Sequence, residues 1–139
     1  MNDLVKIHHL EDAMRNMPQA EVETDHYFAD GMYARVLKRK AGTLIVGKVH
    51  KKEHLYICTR GLVQVYMYNE VKMMSAGDLI VSKPGTKRAV LALEDSICMT
   101  VHPLIVPQLE QKRKDRSIAT SAVESVLQFR KGCLHRRSP

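Results

Sequence analysis

The sequence has few cysteines and no long apolar segment. Its three cysteines, Cys58, Cys98 and Cys133, are odd in number and far apart, so they lack the paired spacing of metal clips and secreted disulfide frameworks. No segment approaches the roughly 20 consecutive apolar residues of a membrane helix, and residues 1–16 contain no signal-peptide stretch. These absences predict reduced thiols, no membrane association and a cytoplasmic location.

The motifs of several common catalytic sites are also missing. The chain has no glycine-rich phosphate loop, no serine or cysteine nucleophile motif and no pair of carboxylates with catalytic spacing. No motif of these kinds therefore identifies the chain as an enzyme, and the sequence leaves open whether it is one.

What is present is the composition of a small, basic, globular protein. The chain has 139 residues, 45% of them hydrophobic and 27% charged, so one compact domain with a tail fits and global disorder is excluded. The formal net charge of +7 suits a polyanionic partner. Much of the positive charge lies in the C-terminal part, at Lys112, Arg113, Lys114, Arg116, Arg130, Lys131, Arg136 and Arg137.

Short apolar runs fill the middle of the chain. Residues 43–46, 62–68 and 78–81 are rich in β-branched and aromatic side chains, and turn-forming residues separate them at short intervals. Strands of this length and spacing predict an antiparallel sandwich or barrel, which ends before Pro103 and Pro107. We therefore divide the chain into an N-terminal helical segment (1–20), a barrel (21–107) and a basic C-terminal helix and tail (108–139).

Two segments outside the barrel have helical periodicity. One face of a C-terminal amphipathic helix would carry the apolar residues Ile118, Ala122, Val126 and Phe129. This helix begins at either Asp115 or Ser121 and ends near Gly132. A shorter helix is predicted within residues 3–16, before Pro18. The predicted fold is thus mainly β, with a C-terminal α-helix.

Glycines at fixed spacing make residues 42–88 the informative part of the sequence. Gly42 and Gly61 enclose a segment that contains His50 and His54, and Gly77 begins a second segment that ends at Arg88 after a Pro-Gly turn. This spacing resembles the two motifs of the cupin superfamily. The resemblance covers roughly half of the chain and implies a double-stranded β-helix, also called a jelly-roll barrel.

The resemblance extends to the scaffold of the motifs more than to their metal ligands. His50 stands at the position of a ligand histidine, and His54 stands at the position of the ligand glutamate. Lys48 and Arg88 occupy the positions of two further ligand histidines, and Ala92 replaces an asparagine. Most of the ligand positions are therefore changed.

A narrower resemblance concerns small cupin-like proteins of tailed bacteriophages. It rests on residues 27–35, 53–55, 84–88, 92–95 and 100–102. It implies a phage-encoded protein in the host cytoplasm or a component of the virion, and it implies no particular activity.

The broader resemblance implies a divalent metal ion, namely iron, manganese, nickel or zinc, inside the barrel. His50 and His54 are the first candidate ligands, and His102 is the third. A three-residue hairpin loop before the strand of His102 would place this side chain opposite Arg88 and inside the barrel, whereas a two-residue loop would place it outside. The alternative is that these histidines are ordinary polar residues at a barrel mouth. A reaction at such a site would be a metal-assisted oxygenation or isomerisation, with Tyr56 or His54 transferring protons.

The changed ligand positions share a positive charge. Cationic side chains inside a barrel repel a metal ion and attract a carboxylate, a phosphate or a sugar phosphate. The second hypothesis is therefore a non-catalytic cupin that binds an anionic small molecule through Arg88, Arg35, Tyr56 and Lys48. Two further cations, Lys83 and Lys87, are interpreted as solvated turn residues.

The apolar stripe of the C-terminal helix needs a surface to cover it. Either the barrel of the same chain or a second copy provides that surface, and a homodimer or higher homo-oligomer is expected. The basic tail would bind nucleic acid through phosphates alone, because Phe129 is its one aromatic residue for base stacking. A third hypothesis, a structural or virion-associated protein that acts by self-assembly, fits the same features.

Overall fold

The computed structural model describes residues 3–103 and 118–121. Within them, helix α1 (Asp3–Arg15) precedes the strands β1 (Glu23–Ala29), β2 (Met32–Arg39), β3 (Thr43–Val46), β4 (His54–Arg60), β5 (Leu62–Met67), β6 (Glu70–Ser75), β7 (Leu79–Ser82), β8 (Ala89–Ala92), β9 (Ser96–Pro103) and β10 (Ile118–Ser121). No helix of these residues has the length and the apolar character needed to cross a bilayer.

The strands form two five-stranded antiparallel sheets. One has the order β1-β2-β9-β4-β7 and the other the order β10-β3-β8-β5-β6. Most successive strands alternate between the sheets, as β7, β8 and β9 do, so the chain winds back and forth as in a jelly roll. The predicted antiparallel β-barrel is therefore confirmed.

The main core lies between the two sheets. Side chains point alternately inward and outward along each strand, and in β9 the inward set is Ser96, Cys98, Thr100 and His102. The apolar inward residues pack into one cluster, which consists of Tyr56, Cys58, Val63, Val65, Met67, Met74, Ile80, Val90 and Cys98. Because β4 and β9 are paired in the middle of their sheet, their inward residues lie near the centre of the barrel.

Helix α1 covers the outer face of the second sheet. The apolar residues Ile7, Leu10 and Met14 pack on that face. A buried ion pair joins the helix to the barrel, because Lys87 Nζ lies 2.8 Å from Glu11 Oε1 and the two side chains are only 3% and 4% exposed. The helix predicted within residues 3–16 is confirmed, but the interpretation of Lys87 as a solvated residue was wrong. The helix that covers this face also supplies the carboxylate.

The turn between β4 and β5 depends on Gly61. Its φ is +81°, a conformation that side-chain-bearing residues rarely adopt. A Cβ atom at this position would lie 2.3 Å from the carbonyl oxygen of Asp95, so the neighbouring β8–β9 connection also excludes a side chain. The glycine spacing in the sequence thus reflects a real steric requirement of the fold.

The predicted hairpin between β8 and β9 is absent. These consecutive strands belong to different sheets, and β9 pairs with β2 and β4 instead. His102 nevertheless points into the barrel, since it has the same parity in β9 as the buried Cys98 and Thr100. The sequence left two orientations open for His102, and the structure has the inward one because of the parity of β9 and not because of a hairpin loop.

Only a short part of the predicted C-terminal helix lies in the described residues. Residues Ile118–Ser121 form strand β10, which pairs antiparallel with β3 at the sheet edge. A helix beginning at Asp115 is therefore wrong for these four residues, because an unpaired sheet edge offers them backbone partners. A helix beginning at Ser121 or beyond lies outside the described residues, and it stays a prediction.

Candidate functional site

Three histidines meet at the end of the barrel where β4 begins and β9 ends. His54 opens β4, His102 lies near the end of β9, and His50 is in the loop before β4. The ring centroids are 4.0 Å apart for His50 and His54, 5.8 Å for His50 and His102, and 6.5 Å for His54 and His102. We call these three residues the histidine cluster.

Backbone hydrogen bonds hold the loop of His50 against the Pro-Gly turn. The amide of Gly85 donates to the carbonyl of His50 over 2.8 Å, and the amide of His50 donates to the carbonyl of Thr86 over 3.3 Å. The φ of +85° at Gly85 is of the kind that glycine adopts without strain. The two sequence motifs are thus in direct contact, and this contact positions His50 over His54.

Arg88 extends into the barrel beside the cluster. Its Nη1 donates to Nε2 of His54 over 2.7 Å and to Oγ of Ser82 over 3.0 Å. Its Cζ lies 4.2 Å from the centroid of the Tyr56 ring, which is the geometry of a cation–π contact. The guanidinium is buried, at 7% exposure, and it stands where the motif resemblance places a ligand histidine.

The contacts of His54 define the protonation of its two ring nitrogens. Nδ1 lies 3.0 Å from the carbonyl oxygen of Lys52, and a carbonyl can only accept a hydrogen bond. Nδ1 therefore carries the hydrogen, which leaves Nε2 to accept from Arg88. Both nitrogens of His54 are committed to other groups.

Two further arginines enter the same interior from β2. Tyr33, Arg35 and Arg39 are separated by even intervals, so their side chains lie on the same face of the strand. Tyr33 and Arg39 are buried. Nη2 of Arg39 lies 3.5 Å from the Tyr56 hydroxyl. Among the described residues, Nε and Nη1 of Arg39 are buried without any hydrogen-bond partner. Positive charge thus lies close to both the ring and the hydroxyl of Tyr56.

Burial changes the ionisation of the groups in this interior. It raises the pKa of Tyr56 to about 12, so the phenol is neutral at physiological pH. It lowers the pKa of Arg88 and of Arg35, because a buried guanidinium loses its hydration. Arginine stays protonated even so, since its intrinsic pKa exceeds 12. The interior therefore holds cations around a neutral tyrosine.

An aromatic stack supports the cluster from the side of β1. The ring of Phe28 stacks on Tyr33 with centroids 5.0 Å apart, and Tyr33 contacts His102 edge-on at 5.3 Å. Nδ1 of His26 is hydrogen-bonded to the Tyr33 hydroxyl. His26 is exposed, and it orients a buried residue that touches the site.

The structure brings together most of the residues singled out in the sequence. His50, His54, His102, Arg88 and Tyr56 form one connected site, and Arg35 interacts electrostatically with Tyr56. Lys48 is half-buried in the loop after β3, and within residues 3–103 and 118–121 no hydrogen bond or ion pair joins it to this site.

Sequence reasoning missed three residues of the site: Tyr33, Arg39 and Ser82. The parity of β2 was the available signal for two of them, because Tyr33 and Arg39 are separated from Arg35 by even intervals. Ser82 has the same relation to the buried Ile80 in β7.

The residues present do not fit a metal ion in this arrangement. Both nitrogens of His54 are occupied, and the group on Nε2 is a cation, which would repel a metal ion at the same place. In the described part of the chain, no group of three or more histidine, cysteine, aspartate or glutamate side chains is arranged so that it could hold a metal ion. The donor set suits a negatively charged ligand better.

Comparison with known proteins identifies the fold. No family model matches the sequence, and no curated protein matches it. A cupin superfamily protein from Desulfitobacterium hafniense is similar in structure, with 9% identity and a TM-score of 0.56 over 65% of this chain and 84% of that one. KdgF from a Halomonas species has 18% identity and a TM-score of 0.56 over 68% of this chain and 93% of that one.

The cupin domain of Cnp3 from Schizosaccharomyces pombe is a third similar structure. It is 15% identical, with a TM-score of 0.52 over 73% of this chain and 77% of that domain. At such low identities the likeness concerns the fold alone, and the barrel has the cupin fold. The narrower resemblance to phage proteins stays a prediction.

Proposed function

Starting from the cupin fold of this chain, we propose that it binds an anionic small molecule inside its barrel, at Arg88 and the histidine cluster. The observation that carries the proposal is the position of Arg88. Its guanidinium is buried at the centre of the site and is bonded to His54, where the motif would have a metal ligand.

The contacts of Arg88 leave one edge of the guanidinium for a ligand. Within the described residues, Nη1 makes the hydrogen bonds to His54 and Ser82, and Nε and Nη2 make none. Nε and Nη2 form the edge that binds carboxylates and phosphates through two parallel hydrogen bonds. The bonds of Nη1 and the Tyr56 ring hold this edge in place, so little side-chain entropy is lost on binding.

The absence of a charge partner adds to the attraction. In the ion pairs of the described residues, the carboxylates contact Arg15, Lys38, Lys87 and His8, and no carboxylate contacts Arg88. A buried cation without a carboxylate is costly, and an anionic ligand would offset that cost. The ligand would therefore stabilise the fold when it binds.

Thermal unfolding with inorganic phosphate and with succinate tests the proposal. We expect both anions to raise the Tm above that in sodium chloride of the same ionic strength. The variant Arg88→Met should lose the effect. The exposed Arg60 on β4 supplies a matched control, since Arg60→Met makes the same change in net charge and should keep the effect. Equal responses of Arg88→Met and Arg60→Met would contradict the proposal, and so would no response from any of the proteins.

A divalent metal at the histidine cluster is the second candidate, and the convergence of the three imidazoles supports it. It would require Arg88 to leave Nε2 of His54. Elemental mass spectrometry on untagged protein, incubated with iron, manganese, nickel or zinc, tests this candidate beside the double variant His50→Ala/His54→Ala. About one equivalent of metal in the parent and none in the variant would favour the metal over the anion.

A further inference from the structure

We propose that the ligand of this barrel carries at least two negative charges, as a dicarboxylate or a phosphate does, because Arg88 and Arg39 both contact Tyr56 and neither has a carboxylate partner among the described residues. The inference rests on the proposed function and deepens it. It adds Arg39, on which the proposed function does not depend, as a residue that selects among anions.

Arg39 has unused hydrogen-bonding capacity in the interior. It is 5% exposed, and its one hydrogen bond in the described residues is the long contact of Nη2 with the Tyr56 hydroxyl. Nε and Nη1 are buried and have no partner there. Nearly all buried donors in folded proteins are satisfied by protein, water or ligand. Two unsatisfied donors on one buried guanidinium therefore indicate an acceptor that the described residues do not supply, and a bound anion is such an acceptor.

The charge of Arg39 has no carboxylate partner among the described residues. No ion pair of these residues involves it, and the Tyr56 phenol that it contacts is neutral because burial raises its pKa to about 12. The guanidinium of Arg88 lies over the ring of the same tyrosine and also has no ion pair among these residues. A buried water would satisfy the donors of Arg39 and would leave both charges unbalanced. A monoanion would balance one of the two, and a dianion balances both.

Arg35 reinforces this preference. Its guanidinium is close enough to Arg39 and Tyr56 to interact with both electrostatically. Three guanidinium groups thus lie near the site, and the electrostatic attraction of an anion to them grows with the charge of the anion. This attraction and the unused donors of Arg88 and Arg39 favour a multiply charged ligand.

A series of anions of different charge tests the inference. Isothermal titration at constant ionic strength and slightly alkaline pH compares acetate, succinate and inorganic phosphate on the full chain. We expect succinate or phosphate to bind the parent at least about tenfold more tightly than acetate. Succinate and phosphate also distinguish two separate anionic groups from one doubly charged group, and preference for either supports the inference.

Variants separate this inference from the proposed function. In Arg39→Met, the affinity for the dianions should fall to within about threefold of the affinity for acetate. In Arg88→Met, the affinity for every anion should fall. Arg39→Lys, which keeps the charge, should retain part of the preference and shows that a loss in Arg39→Met is not a folding defect. If acetate binds the parent as tightly as the dianions, or if Arg39→Met keeps the full preference, the inference is overturned and the proposed function stands. If no anion binds the parent, both fail.

Discussion

Replacement of Arg39 by methionine should stabilise the protein in a buffer without polyvalent anions. Methionine keeps most of the side-chain length and removes a guanidinium that is 5% exposed and lacks a counterion in the described residues. Large losses of stability are the usual result of a change at a buried site. A gain of stability is expected here because the guanidinium of Arg39 is buried with unsatisfied hydrogen-bond donors.

The size of the effect follows from two terms. A buried donor without an acceptor costs about 1–3 kcal/mol, and Arg39 has two such donors, Nε and Nη1. The contact between Nη2 and the Tyr56 hydroxyl is lost, but at 3.5 Å it contributes at most about 1 kcal/mol. These terms allow a rise in the free energy of unfolding of about 1–6 kcal/mol, and we expect about 1–4 kcal/mol, the range found when buried ionic groups are replaced by apolar ones. For 139 residues this corresponds to a Tm increase of roughly 4–15 °C.

Differential scanning calorimetry of the parent, Arg39→Met and the surface control Arg60→Met measures the change. Addition of succinate should reverse the order of stability, because a ligand that binds only the folded state adds RT ln(1 + [L]/Kd) to the parent and less to the variant. A Tm of Arg39→Met below that of the parent in the anion-free buffer, with Arg60→Met unchanged, would refute this reasoning. It would mean that Arg39 is satisfied by groups of the protein itself.

Three other predictions follow from the same structure. Lys87→Met should lower the free energy of unfolding by up to about 3–5 kcal/mol, since it leaves the buried Glu11 carboxylate with only the exposed and more distant Arg15 and His8, and Glu11→Leu/Lys87→Met should recover most of that loss in urea denaturation; equal losses would contradict the buried pair. Arg88→His releases Nε2 of His54 and should let the chain bind about one equivalent of zinc or nickel by elemental analysis, and uptake no greater than that of the parent would count against this. The pKa of the Tyr56 phenol is about 12 in the folded chain and 10.0 in the unfolded chain. Its contribution to the free energy of unfolding is therefore complete below pH 10.0 and is lost as the pH rises toward about 12. Tyr56→Phe should remove this dependence, worth about 3 kcal/mol, from the unfolding free energy measured against pH, and an unchanged slope would refute the assignment.

Local sequence patterns were sufficient to predict the barrel. Gly42, Gly61 and Gly77 all have a positive φ, and at Gly61 the backbone of Asp95 also excludes a side chain. These requirements give the glycines a spacing that can be recognised in the sequence. The inward orientation of His54 and His102 also follows from the alternation of side chains along β4 and β9. Features that depend on strand parity and on turns are local, and they are recoverable without a structure.

Features that depend on distant contacts were not predicted. The partner of Lys87 is Glu11, which is 76 positions away on a helix, and nothing near Lys87 in the sequence indicates a covering helix. The expected β8–β9 hairpin failed for the same reason, because the sheet to which a strand belongs is decided by the whole barrel. The importance of Arg39 becomes visible only when its unsatisfied donors and the neutral Tyr56 are seen together.

The close approach of Gly61 to Asp95 has a consequence for how this barrel tolerates mutation. No other residue fits that turn, since a Cβ atom would lie 2.3 Å from a carbonyl oxygen. Variants at position 61 should therefore fail to fold correctly. The inward residue Arg39 has one long hydrogen bond among the described residues, so we expect its substitution to cost the fold little. Selection can therefore exchange the chemistry of the interior while the turns stay fixed. A chain that keeps the glycines of the cupin motifs and carries arginine at position 88 is one product of that freedom.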